Sequence, residues 1–316
     1  MKKYDMKIVF IAFNMGYAGK VVNGPGIDLY NLISSIRLSN PNIDLTLVAD
    51  IHPKSSFSNI KYISAKNKTE AFRAIDSADI IHHWSGLFER YREYLMYSKA
   101  AGKKIIVGPN VLDCVNLNRE REFLINLKSS IFITMSKKVM YDIYLNHGIR
   151  PYVFIVGPDL KLWNKNTDKE DYILWKGNSR HKVKDVAFGL ELSRALPQYK
   201  FKFLGYPKAY DYFNHIDVAS KARLYICTSY TETKCNALME QWAAGVPSIS
   251  HPEIQMHGNN YSTGLIVNKN IDSYSKAIIS VMENKVLWRD LSYGANNYCI
   301  DNFSHKKIYD KYMEFV

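Results

Sequence analysis

No stretch of the chain approaches the roughly 20 consecutive apolar residues that a helix needs to cross a bilayer, so a membrane-spanning reading finds no support. The start, MKKYDMKIVFIAFNMGYAG, places two lysines before an apolar run, as a secretory signal would. That run is broken at Asn14 and has no A-x-A-like end, so it reads as a first buried strand. Cysteine is scarce: Cys114, Cys227, Cys235 and Cys299 are scattered, with no C-x-x-C pair. That excludes a disulfide frame or a zinc site and points to reduced thiols, hence a cytoplasmic setting. The glycines at 16, 19, 24 and 26 do not spell G-x-G-x-x-G, so no dinucleotide fingerprint is present.

Acidic residues are the scarcer charge, 30 against 42 Lys and Arg, for a net of +12. Residues 1–157 carry 21 basic against 13 acidic residues, a net of +8, and residues 158–316 carry 21 against 17, a net of +4. The excess therefore lies mostly in the first half. Two readings stay open for it: solubility, or a first domain that meets an anionic acceptor such as nucleic acid, a membrane-surface lipid or an acidic glycan.

What is present is a globular chain with 47% apolar residues, long enough at 316 residues for two domains. Short Ile- and Val-rich runs (KIVFIAF, IDLTLVA, ADIIHHW, KKIIVGP, SIFITMS) read as buried parallel strands. Between them, GIDLYNLISSIRLS places Leu29, Leu32, Ile33 and Ile36 on one helical face, and EAFRAIDSA is similar. Around Val156 the series restarts after the polar VGPDLKLWNKNTDKED. It continues through YILWKG, AFGLELSRAL, YKFKFLGY, ARLYICTS, NALMEQWAAG, VPSIS, GLIV and a helical SYSKAIISVMEN. The fold class expected is α/β, two Rossmann-like doubly wound parallel-sheet domains facing a cleft, spanning 1–157 and 158–301. The remainder, 302–316, reads as a final helix.

Four places carry candidate chemistry. The first is the glycine-rich NMGYAGKVVNGPGIDLY, which allows close backbone approach and opens onto a helix start. The second is DIIHHWSG, where His82 and His83 end a strand and point to opposite faces, so at least one is expected to look into the cleft. No third ligand stands at metal spacing beside them. The third is WKGNSRHKVKD, where Arg180, Lys182 and Lys184 cluster between a strand and a helix, as a phosphate site requires. The fourth is YTETKCNALMEQWAAGVPSISHP. Here Glu232 falls on the loop leaving a strand, Asn236 is a candidate cap, and Glu240 lies about one turn into the helix. Gly245 and Pro247 close that helix. Two carboxylates on either side of free helix-start amides bracket a pyrophosphate and can accept hydrogen bonds from sugar hydroxyls.

The stretch YTETKCNALMEQWAAGVPSI resembles the E-x7-E and A-x-G-x-P signature of retaining GT-B glycosyltransferases of the kind grouped as family four. ADIIHHWS, FITMS, VGPDLKLW and KGNSRHKVKD are similar to further family segments. The resemblance implies a nucleotide-diphosphate sugar as donor substrate, no other cofactor and no metal, in keeping with the lack of any D-x-D. It implies that Glu232 approaches the donor sugar, that Glu240 binds the ribose, and that Lys and Arg hold the diphosphate. It also places a catalytic-site histidine at His83 or His82, and Gly16, Gly19, Gly177, Thr233, Lys234, Cys235 and Asn236 around the donor. The final helix is implied to cross back to the first domain. Two departures stand out: Asn178 replaces the usual Arg after Gly177, and Cys235 replaces a usual Gly. Three functions follow as expectations. One is transfer to a glycan, lipid-linked sugar or small metabolite. Another is transfer to modified DNA bases as in some viral enzymes, which would place the protein in an infected host's cytoplasm. The last is a non-catalytic nucleotide-sugar binder. A peripheral place at a membrane surface fits the first.

Overall fold

Apolar runs that are hydrophobic on both faces form strands only where helices cover both sides of a sheet. The computed structural model describes residues 6–13, 15, 24–51, 60–84, 89–109, 127–163, 168–207, 212–232, 234–254 and 262–316. The chain divides into two compact units, Met1–Val156 with His305–Val316, and Gly157–Ser304.

In the first unit, β1 (Met6–Ala12), α1 (Gly24–Ser39), β2 (Ile43–Ala49), β3 (Lys61–Ser64), α2 (Lys68–Ser77) and β4 (Ile80–His83) come first. α3 (Glu89–Ala100), β5 (Lys104–Val107), β6 (Ile131–Thr134), α4 (Lys137–His147) and β7 (Tyr152–Val153) follow. The strands pair in the order β3-β2-β1-β4-β5-β6-β7, all parallel. Local signals set the helix ends. Asn67 caps α2 by accepting from the Glu70 amide, and Ser136 caps α4 from the Lys138 amide. Gly148 stops α4 at φ 65°, a left-handed position that favours glycine. Strand β3 was not expected, because KYIS offers too little apolar pattern to be seen.

The second unit contains β8 (Glu170–Lys176), α5 (Val186–Ala195), β9 (Phe201–Leu204), α6 (Tyr212–Ser220) and β10 (Ala222–Ile226). It continues with α7 (Asn236–Ala243), β11 (Ser248–Ser250), β12 (Gly264–Ile266), α8 (Ile271–Glu283) and α9 (Lys285–Phe303). Its sheet runs β12-β11-β10-β8-β9, again all parallel. Ile173, Trp175, Leu224, Ile226 and Ile249 from the sheet pack with Leu192, Tyr274, Ile278, Val281 and Leu291 from the helices. The helix α9 was also unforeseen. Leu287, Leu291, Ala295, Cys299 and Phe303 recur every fourth residue, but Gly294 and three Asn dilute the pattern.

A last helix, α10 (His305–Met313), belongs to the first unit and packs on α1. His305 Nδ1 lies 3.1 Å from Ser35 Oγ, and Asn40 Nδ2 donates to Tyr309 Oη at 3.3 Å.

Each sheet reverses its strand order once. In the second unit the chain goes outward from β8 to β9, then returns to lay β10 on the other flank of β8. The crevice beyond the carboxyl ends of β8 and β10 is therefore the topological switch point, where open α/β sheets take their ligands.

Candidate functional site

That switch point is where the two glutamates lie. β8 ends in Lys176 and Gly177, and β10 runs into the loop 227–232, which leads on toward α7. The loop is tied to the turn of residues 182–184. The Tyr230 amide donates to Val183 O at 2.8 Å, and Thr228 Oγ1 lies 2.9 Å from the carbonyls of both Lys184 and Asp185. Trp175 Nε1 donates to Thr228 Oγ1 at 2.8 Å. On its far side, His251 donates from Nε2 to Ser229 O at 2.6 Å, and Glu232 bridges Ile254. The loop carrying Glu232 is thus fixed from both flanks.

Three lysine–carboxylate pairs result. Lys176 pairs with Glu240, Lys184 with Glu232, and Lys269 with Asp185 at 2.7 Å. Asp185 takes φ 46°, caps α5 by accepting from the Phe188 amide, and stands beside Tyr230, whose ring lies 3.5 Å beneath the Lys269 ammonium. Burial by itself disfavours the Lys184 ammonium, but the Cys235 sulfur and the Glu232 carboxylate outweigh it and raise its pKa above the ordinary lysine value. Cys227 and Cys235 place their sulfurs 4.0 Å apart, both buried, and the hydrogen bond from Cys235 lowers the Cys227 pKa while that of Cys235 rises.

Gly177 is held close. Its amide donates to Leu204 O at 3.0 Å, and a Cβ at Gly205, where φ is +95°, would stand 1.8 Å from the Gly177 carbonyl. A side chain at 205 would push the end of β9 away from the turn that carries the cations.

Several expectations are corrected. His82 and His83 both lie fully buried, since helices cover each face of the sheet. His82 uses both nitrogens inside its own unit, with Tyr312 Oη at 3.1 Å and Gly108 O at 2.9 Å. His83 Nε2 lies 3.4 Å from Ser98 Oγ. Burial pushes the pKa of each down to about 3, so neither imidazole is a ready base, and neither looks outward as the strand-end reading expected. Arg180 and Lys182 are exposed and form no ion pair among the described residues; Lys184 alone of the three cations meets Glu232. The cap of α7 is Cys235, with no side-chain capping bond, and not Asn236, which is the first helical residue. Lys234 is buried. Gly16, Gly19 and Thr233 lie outside the described residues. Among the described residues, no group of three His, Cys, Asp or Glu side chains comes together to hold a metal ion.

Lys176, Lys269, Asp185 and Tyr230 were missed. The available signal for Lys176 was its place as the last residue of a strand, at the carboxyl end where ligands bind.

No protein-family model matches the sequence, and no curated protein does. Solved structures do match. HepE from Anabaena, in complex with UDP and glucose, is 14% identical with a TM-score of 0.68, covering 98% of each chain. The sucrose-phosphate synthase of Thermosynechococcus elongatus is 14% identical with a TM-score of 0.64, again over 98% of each chain. An alpha-glucosyltransferase in complex with UDP and a 13-mer DNA containing an HMU base is 12% identical, with a TM-score of 0.65 over 98% of this chain and 99% of that one. The two parallel-sheet units are those of the GT-B fold that such glycosyltransferases share.

Proposed function

We propose that the protein is a retaining glycosyltransferase, moving a sugar from a nucleotide-diphosphate sugar to an acceptor hydroxyl without a metal ion. One observation carries this reading: both glutamates of the E-x7-E stretch, each paired with a lysine, stand at the switch point of a GT-B second unit. In the reaction the bond between the anomeric carbon and the diphosphate oxygen breaks. A bond to the acceptor oxygen forms on the same face, and the acceptor proton passes to the departing phosphate. Lys184 and the first backbone amides of α7, where Cys235 makes no side-chain capping bond, stabilise the charge growing on that phosphate. Glu232 accepts from hydroxyls of the donor sugar, and Glu240 from those of the ribose. Neither His82 nor His83 is given a chemical role.

The test is a thermal-shift screen with nucleoside diphosphates and their sugars, UDP-glucose included, followed by calorimetry on Glu240→Ala. At least one donor should raise the melting temperature, since binding confined to the folded state stabilises it. Glu240→Ala should then weaken that donor by roughly tenfold or more with the far-UV spectrum unchanged. Unchanged donor affinity in the variant would reject the ribose role, and binding without turnover against every acceptor would favour a non-catalytic sugar-nucleotide binder. A second reading, transfer to bases of modified DNA, draws support from the net of +8 in residues 1–157 and from the likeness to the DNA-bound alpha-glucosyltransferase.

A further inference from the structure

The two lysine–glutamate pairs at the switch point are not equivalent. In the Lys184–Glu232 pair the side chains keep 24% and 12% of their exposure, while Lys176 and Glu240 keep 11% and 5%. Lys184 reaches its partner from the end of a short turn, but Lys176 belongs to the sheet itself. Its backbone pairs with Leu204 of β9, and its carbonyl lies 3.5 Å from Tyr225 Oη. Its ammonium also stands 4.5 Å over the ring of the buried Trp163. Backbone, ring and carboxylate hold the Lys176 side chain in one place.

We propose that Lys176 is a positioning residue for the ribose subsite, holding the Glu240 carboxylate aimed while the Lys184–Glu232 pair opens to receive the diphosphate. This rests on the donor-site reading above. A ribose diol needs carboxylate oxygens held at a fixed place to accept its two hydrogen bonds, and the anchored Lys176 ammonium fixes that place for Glu240. Taking Lys176 away to a phosphate would break the more enclosed of the two ion pairs, and breaking an enclosed pair costs more than opening an exposed one. Opening the Lys184–Glu232 pair costs less, because both of its side chains are more exposed and Glu232 gains hydroxyls of the incoming sugar. Depth of burial therefore divides the two pairs into one that stays and one that exchanges.

The test compares ribose with 2′-deoxyribose. Calorimetry would measure ADP, CDP, GDP and UDP and their 2′-deoxy counterparts against the full chain and against Lys176→Met, Lys176→Arg, Lys184→Met and Glu240→Gln. The full chain should prefer the ribonucleotide of its best base by roughly tenfold. Glu240→Gln and Lys176→Met should each erase that preference, and a protein carrying both substitutions should lose no more than Glu240→Gln alone. Lys176→Arg should keep most of it, while Lys184→Met should weaken both nucleotides by the same factor. If Lys176→Met fails to fold, Lys176→Arg still decides: loss of the ribose preference in Lys176→Arg alongside full phosphate affinity overturns the proposal. A Lys176→Met protein that binds both nucleotides more weakly yet still prefers ribose makes Lys176 a phosphate ligand and also overturns it. If Glu240→Gln keeps the preference, or the full chain has none, the ribose reading itself fails, an outcome separate from the failure of Lys176 alone.

Discussion

Acidification should destabilise the first unit, and the histidine pair in β4 sets the size of the effect. His82 is arranged for a neutral ring. Its Nε2 faces the Gly108 carbonyl and must donate, which leaves Nδ1 to accept from the Tyr312 hydroxyl. A second proton on the ring would turn that acceptor into a donor facing a hydroxyl, inside a cluster of Phe10, Trp84 and Tyr312 rings. The folded pKa, about 3, lies below the ordinary 6.5, so the unfolded chain binds more protons as pH falls between those values. Stability is accordingly complete above pH 6.5 and is lost as pH falls from there toward 3. At pH 5, one such site accounts for about 2 kcal/mol of lost stability, a large share of the total for a domain. His83, held down to a similar value chiefly by burial, adds a comparable amount. The assay is urea unfolding at about pH 8 and about pH 5, followed by hydrogen exchange in peptides from β1 and β4, so that the first unit is read by itself. His82→Gln, which cannot titrate, should remove roughly half of the pH dependence. A first unit equally stable at both pH values would refute the assignment of His82 as a neutral, buried, fully bonded ring.

Two shorter predictions concern the second unit and the acceptor. Gly205→Ala should lower the melting temperature and the donor affinity together. The φ of +95° costs on the order of 2 kcal/mol, and the new methyl meets the Gly177 carbonyl. Gly102→Ala, at φ +66° with nothing within 4 Å, should show only the backbone part, and equal losses at both sites would discount the close approach. For the DNA reading, gel retardation should occur at low salt and fade steeply as salt rises; no retention at low salt would end that reading.

Legibility from sequence followed how local each signal was. The alternating strands and helices were readable because parallel sheets require runs that are apolar on both faces, and KIVFIAF or ARLYICTS can be little else. β3 escaped because Tyr62 and Ile63 are too few to make a run, and α9 because its Asn and Gly residues mask a regular fourth-residue stripe. At the site, Glu232 and Glu240 could be placed by spacing, since a strand, a loop and a helix start fix where a residue falls along the chain. Which cation meets which carboxylate could not. Arg180, Lys182 and Lys184 look equal in WKGNSRHKVKD, and only the turn over 182–184, stitched to Tyr230 and Thr228, brings Lys184 inward. The histidines failed for a related reason: alternation tells that neighbours point to opposite faces, but both faces here are covered.

The three pairs also bear on how the exposed cations should be understood. Lys176 with Glu240, Lys184 with Glu232 and Lys269 with Asp185 cancel charge for charge, so these groups present little net attraction to a dianionic ligand. Under the proposed function the first pull on a diphosphate must come from charges that are not cancelled. Arg180 and Lys182 are such charges, exposed beside Lys184 and without an ion pair among the described residues. Their place suits steering, which acts over about a Debye length and fades with salt, whereas Lys184, drawn from its glutamate only at close range, suits grip. The basic cluster in WKGNSRHKVKD thus divides into residues that attract and one that holds, and burial decides which is which.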